Sequence, residues 1–197
     1  LFLCLLYLFF SSSYYGLACL AVLKELVPSL NPVAAAGLSL GEFTAHAAAG
    51  TYSFEEGLRL VQKRGAFMEE ACNATKGTMA AMIGGTDENV IKLAQECDVD
   101  VANFNCPGQT VVSGTEEGVA KAVAGAKAAG CKIAKKLNVA GAYHSRLMHS
   151  AMVKLAEELK NISFGTPSMP VYCNYEARVV EGPDDIRSML EHQVCGS

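Results

Sequence analysis

Apolar and polar positions along the chain alternate between two rhythms, and the changes of rhythm mark out its elements. After an apolar run from Leu1 to Phe10, broken at Ser11-Ser12-Ser13, the segment Tyr14 to Leu26 reads as a helix. Leu17, Leu20, Ala21 and Leu23 supply its apolar surface, and Pro28, Asn31 and Pro32 end it. Val33 to Ala36 is a short apolar run between a proline and a glycine, as a buried strand would be. Gly37-Leu38-Ser39-Leu40-Gly41 follows at once, and Glu42 to Ala49 are good helix formers. The pattern predicts strand, tight turn, helix.

Ser53-Phe54-Glu55-Glu56 has the form of a capping box opening the next helix. Behind it, Phe54, Leu58, Val61, Gly65, Met68 and Cys72 recur in steps of three and four, a helical stripe. At about 100° per residue this places Lys63 directly away from the stripe and Arg64 about 80° off it, at the edge of a cleft. From Lys76 the rhythm shortens. Strands are predicted at Thr78–Ile83, Val99–Phe104, Gln109–Ser113 and Cys131–Leu137, with helices at Asp87–Cys97 and Thr115–Ala128. Strand-helix-strand-strand-helix-strand is the split βαβ, ferredoxin-like order. A helix over Ser145–Lys160 with Met148, Met152, Leu155 and Leu159 inward, a short strand at Pro170–Asn174 and a helix at Asp184–Gln193 complete the chain. The expected fold class is α/β. A large subdomain at 14–75 and 138–197 receives an inserted small one at 76–137, and 1–13 is an unmatched apolar segment.

Composition narrows the function classes. At 197 residues, 51% hydrophobic and 18% charged, the chain can bury one substantial core. A net charge of -4 argues against a nucleic-acid partner, which asks for a basic face. Leu1 to Leu23 carries no charge and is long enough for a membrane helix, but the triple serine interrupts it, so no membrane span is expected. The eight cysteines show neither CxxC nor Cys/His spacing, so no metal site is expected. Scattered in this way they read as small buried hydrophobes in a reducing compartment.

The turn carries the candidate chemistry. A G-x-S-x-G string alone arises by chance in roughly one chain in fifteen of this length. Its place between a strand and a helix gives it weight, because the chemistry needs a turn that lifts the serine above the sheet. The helix behind offers backbone N–H groups to an oxyanion. Ser39 then requires a base. His46 and His192 lie on helices and read as surface or cap residues, and His149 as solvated. His144, in the small-residue loop Ala140-Gly141-Ala142-Tyr143-His144-Ser145, is the plausible cleft residue. Arg64, at its stripe edge, could bind a carboxylate bidentately, as a lysine could not.

Gly37-Leu38-Ser39-Leu40-Gly41-Glu42-Phe43-Thr44-Ala45, Arg64-Gly65 and Gly141-Ala142-Tyr143-His144-Ser145, in that order, resemble the malonyl-CoA:acyl-carrier-protein transacylases, as does Asn103-Phe104-Asn105-Cys106-Pro107-Gly108-Gln109 with Val111-Val112-Ser113-Gly114. The resemblance implies an α/β-hydrolase-like large subdomain with a ferredoxin-like one inserted. It implies ping-pong transfer in fatty acid biosynthesis, without a cofactor, by a monomer whose partners are malonyl-CoA and acyl-carrier protein. Ser39 would be the nucleophile, His144 the base and the Leu40 N–H an oxyanion donor. Arg64 and Asn103 would bind substrate. The family orients its histidine through a main-chain carbonyl at a glutamine, and Gln193 matches that position.

Leu38 stands where many members have histidine, which is similar to the plant plastid type. The implied site of action is the plastid, with mitochondrion or cytoplasm as alternatives. The family also begins with a strand and a Phe-x-Gly-Gln-Gly loop, absent from this sequence, and continues beyond Gln193. The chain is therefore expected to be incomplete at both ends, with only the Leu40 N–H left for the oxyanion. Two other readings stand beside this one. An esterase would need an aspartate between serine and histidine, for which Asp87, Asp98 and Asp100 are available. A truncated, inactive paralogue could still bind acyl-carrier protein through Lys121, Lys127, Lys132, Lys135 and Lys136.

Overall fold

The structure, a computed structural model, describes residues 2–196, with the side chains of 2–11 outside the description. By contacts the chain divides into two compact units, Leu1–Phe67 with Val153–Gln193 and Met68–Met152 with Val194–Ser197. The first unit contains α1 (Phe2–Leu26), β1 (Ala35–Ala36), α2 (Leu40–Ala48), the front of α3 (Phe54–Ala74), β6 (Val171–Tyr172) and α7 (Pro183–His192). The second holds β2 (Gly77–Ile83), α4 (Asp87–Glu96), β3 (Asp100–Cys106), β4 (Gln109–Thr115), α5 (Glu116–Gly125) and β5 (Ile133–Lys136). The division runs through α3 and through α6 (His149–Leu159).

In the second unit the predicted order is realised as a four-stranded sheet, β3-β4-β2-β5, antiparallel at every pairing. Its helices begin where sequence chemistry says they should. The Thr86 hydroxyl accepts from the Asn89 N–H, and Thr115 does the same for Gly118, each satisfying one N–H that a first helical turn leaves open. Ala80, Met82, Val112, Val90, Leu93, Val119 and Ala122 form the core on the helical side of the sheet. Together with the elbow-bearing first unit this is an α/β-hydrolase-like subdomain with a ferredoxin-like one inserted.

The first unit departs from expectation in three places. The predicted break at the triple serine is absent: α1 runs through Ser11 to Ser13, and the Ser13 hydroxyl meets the Thr44 hydroxyl of α2 at 2.9 Å. Serine costs a helix little, and a buried one that finds a partner costs less. The part of the 1–13 segment at Leu1 lies outside the described residues. Next, β1 is two residues long and pairs in parallel with β6, Ala35 against Val171 and Ala36 against Tyr172. Val33, expected in a buried strand, is 86% exposed. Lastly, the buried face of α3 is Gly57, Leu60, Val61, Arg64, Gly65, Met68 and Ala71, while Phe54 is exposed. That is a rotation of about 60° from the predicted stripe, and it brings Arg64 from the edge to within about 20° of the centre.

Of the cysteines, Cys131 and Cys173 are buried as expected, whereas Cys19 and Cys106 are exposed. Among the described residues, no helix is long and apolar enough to cross a membrane.

Candidate active site

Ser39 lies between β1 and α2 with φ 51° and ψ -104°, a left-handed conformation that a non-glycine residue holds only under constraint. The turn is tight enough to dictate its neighbour. A Cβ at Gly37 would lie 2.1 Å from the carbonyl carbon of Gly41 and 2.2 Å from its oxygen, so only glycine fits. A Cβ at Gly41 would meet nothing within 4 Å, so only the first glycine of the motif is demanded by sterics here. The Ser39 carbonyl already accepts from the Glu42 N–H, and Leu38 from Gly41, which starts α2 directly behind the serine. Leu40 is the first residue of α2, so its N–H is one of those the helix leaves open.

Arg64 reaches Ser39 from α3. Its Nη2 donates to the Ser39 hydroxyl oxygen at 2.8 Å and to Gln193 Oε1 at 3.2 Å. The side chain is 1% exposed, and the guanidinium lies 5.2 Å from the ring centroid of Phe43, a cation–π contact on a fully buried ring. A cation sunk this deep is costly unless it is balanced. Glu42, wholly buried on α2, is the acidic group in its neighbourhood. Gln193 joins the two. Its Nε2 donates to Glu42 Oε2 at 2.9 Å and to the Ser39 carbonyl at 3.1 Å, while its Oε1 receives Arg64. In the first unit Gln193 thus acts through its side chain, a role the sequence did not suggest. Burial pushes the Glu42 carboxyl up to about 7, against the opposing pull of the Asn174 N–H, Gln193 and the Arg64 charge.

Sequence reasoning missed Asn174. Its Oδ1 accepts from the Ser39 N–H and its Nδ2 donates to the Gly37 carbonyl, each at 2.5 Å, and its own N–H donates to Glu42 Oε2 at 3.0 Å. The only signal was its place at the end of the predicted strand 170–174.

His144 belongs to the second unit and is 7% exposed, with φ 55°. Its loop is tightly held. The Ser145 hydroxyl donates to the Ala142 carbonyl at 2.7 Å and accepts from the Leu147 N–H, opening a 3-10 turn at Arg146–Met148. Arg146 puts both its backbone N–H and its guanidinium on Asp100, and reaches Asp98 as well. A Cβ at Gly141 would come within 2.3 Å of the Cys72 sulfur, so a larger residue there would require the Cys72 side chain to shift. Asn103 is half-buried on β3 between two register shifts.

The other histidines separate. His149 and His192 are exposed, the latter stacked on Tyr175 at 5.3 Å. His46, expected at the surface, is fully buried; its Nδ1 pairs with the Thr51 hydroxyl at 3.2 Å, and burial drives its pKa down to about 4. Among the described residues, no group of three or more His, Cys, Asp or Glu side chains is gathered that could hold a metal ion.

A serine in a strained strand-to-helix turn, with a buried arginine on its hydroxyl and a ferredoxin-like unit inserted in the chain, defines the acyltransferase class. The family model for the acyl transferase domain matches residues 17–192, and the chain belongs to that family. It is 42% identical over 167 residues to the malonyl CoA-acyl carrier protein transacylase of Escherichia coli K12, covering 83% of this chain and 54% of that protein. The crystal structure of the Streptococcus pneumoniae MCAT superposes with a TM-score of 0.91 at 36% identity, over 98% of this chain and 63% of that one. A malonyl-transacylase solved in complex with a type II PKS acyl-carrier protein gives a TM-score of 0.81 at 37% identity, over 85% and 55%. The chain spans about half the length of the curated relatives it matches.

Proposed function

We propose that this chain transfers a malonyl group from malonyl-CoA to the phosphopantetheine thiol of an acyl-carrier protein, through a malonyl ester on Ser39, as an [acyl-carrier-protein] S-malonyltransferase of fatty acid biosynthesis. The observation that carries the reading is Arg64 Nη2 at 2.8 Å from the Ser39 hydroxyl oxygen. A permanent cation beside the nucleophile selects an acyl group bearing its own anion. In malonyl the carboxylate is one methylene from the reacting carbonyl, which suits a guanidinium that close to the serine.

In the first half-reaction Ser39 Oγ attacks the thioester carbonyl and its proton passes to His144. The tetrahedral oxyanion takes the Leu40 N–H, and its collapse expels the CoA thiolate, which receives the proton. In the second the carrier thiol gives its proton to His144, attacks the ester, and Ser39 leaves with the proton returned. Arg64 holds the malonyl carboxylate throughout and Gln193 keeps Arg64 aimed. Asn103 binds substrate. The names of the relatives support both the donor and the carrier partner. Lys127, Lys132 and Lys135, all exposed on the ferredoxin-like unit, are the surface we assign to an acidic carrier. Lys121 and Lys136 are in ion pairs with Glu117 and Glu116. We further propose, on the strength of Leu38, that the protein acts in the plastid, and that it acts as a monomer.

The esterase reading loses its third residue. Asp87 accepts from the Thr110 hydroxyl, and Asp98 and Asp100 both hold Arg146. Replacing Arg64 by alanine tests the malonyl assignment. Malonyl transfer is expected to fall about 100-fold or more while acetyl transfer is kept or rises. An unchanged malonyl-to-acetyl ratio would remove Arg64 from the carboxylate.

A further inference from the structure

The elbow conformation of Ser39 must be held by something, since a left-handed serine relaxes if left alone. Gly37 permits the turn but does not enforce it. Three hydrogen bonds from one residue do. Asn174 Oδ1 takes the Ser39 N–H, Asn174 Nδ2 gives to the Gly37 carbonyl, and the backbone N–H of Asn174 is fixed on Glu42 Oε2. One planar carboxamide therefore spans the turn, from the carbonyl two residues before the nucleophile to the nucleophile's own amide. The anchor is rigid as well. Asn174 follows β6, which pairs with β1, so the strand leading into the elbow and the residue clamping it are neighbours across one parallel register. Glu42 lies on the helix leading out. Strand, turn and helix are locked together at Asn174.

The clamp also divides the amides of the turn between two tasks. With the Ser39 N–H committed to Asn174, the Leu40 N–H is the elbow amide left for a developing oxyanion.

We propose that Asn174 is a positioning residue for acyl transfer. It touches no reacting atom and acts by holding Ser39 in the conformation from which its hydroxyl attacks. The proposal rests on Ser39 being the nucleophile, and the test separates the two. The full chain would be treated with a fluorophosphonate, a serine-directed probe that needs neither malonyl nor carrier recognition, and the label mapped by peptide mass.

In the wild type, Ser39 is expected to label. Asn174→Ala should lower the second-order labelling rate of the folded fraction about 10- to 100-fold, the scale of a misplaced reacting group. In malonyl transfer the same loss should fall on kcat, with KM for malonyl-CoA within about twofold of wild type. Asn174→Asp keeps the acceptor for the Ser39 N–H and loses the donor to Gly37, so its rate should lie between the two. It carries the test if the alanine variant does not fold. Labelling of both folded variants at the wild-type rate would overturn the positioning role and leave the nucleophile standing. A wild type that does not label at Ser39 would instead remove the nucleophile itself.

Discussion

Replacing Glu42 with glutamine should expose a pH dependence of stability that the wild-type chain conceals. Two groups buried in the first unit titrate in opposite directions. Burial raises the Glu42 carboxyl from 4.5 to about 7, so between those values the folded chain holds a proton that the unfolded chain has lost. Its contribution is full below pH 4.5 and declines as pH rises toward 7. Burial lowers His46 from 6.5 to about 4, so below 6.5 the unfolded chain holds a proton that the folded chain refuses. Its contribution is full above pH 6.5 and declines as pH falls toward 4.

From pH 4.5 to 6.5 the two slopes are each about 1.4 kcal/mol per pH unit and of opposite sign, and they cancel. Glutamine keeps the shape and an oxygen for the Asn174 N–H and Gln193 Nε2, but it removes the titration. The His46 slope then stands alone. Relative to wild type, Glu42→Gln should gain about 3 kcal/mol of stability between pH 4.5 and 6.5. In a chain of this size that is roughly 6–12 °C in Tm. His46→Asn should show the mirror image, losing ground to wild type over the same range. Thermal unfolding followed by circular dichroism, at half-unit pH intervals, reads both. Variant and wild-type curves that run parallel would refute the opposed-titration argument, because exposed groups common to both chains cancel in the comparison.

Two further outcomes follow from the same geometry. Gly37→Ala places a Cβ 2.1 Å from backbone, so serine-directed labelling should fall at least about 100-fold, whereas Gly41→Ala should stay within about threefold because its Cβ meets open space. Lys135→Glu should raise the carrier KM about tenfold and leave acylation by the CoA substrate unchanged, and equal effects on both half-reactions would remove β5 from the docking surface.

The ferredoxin-like unit was legible from sequence because each of its signals is local: short apolar strand runs alternating in a fixed order with helical segments of ten or so residues. The elbow was legible for the same reason, its glycine standing two residues from the serine. What escaped was long-range. Asn174 bonds the elbow from 135 residues away and sits in no motif. The burial of His46 depends on what packs over α2. The α3 stripe misplaced Arg64 because Phe54 and Cys72, apolar by type, were counted as inward, while Gly57 and Ala71, which carry little hydrophobic weight, line the buried face. Gln193 was picked out for its backbone, and the described structure shows its side chain tying Arg64 to Glu42.

The account stands on a covalent malonyl-serine at the elbow. Incubation with isotopically labelled malonyl-CoA, quenching in acid and peptide mass mapping should place one labelled malonyl group on the peptide containing Ser39, with the label discharged on adding phosphopantetheinylated carrier and absent from Ser39→Ala. Label that persists in Ser39→Ala, or that maps to another residue, would contradict it.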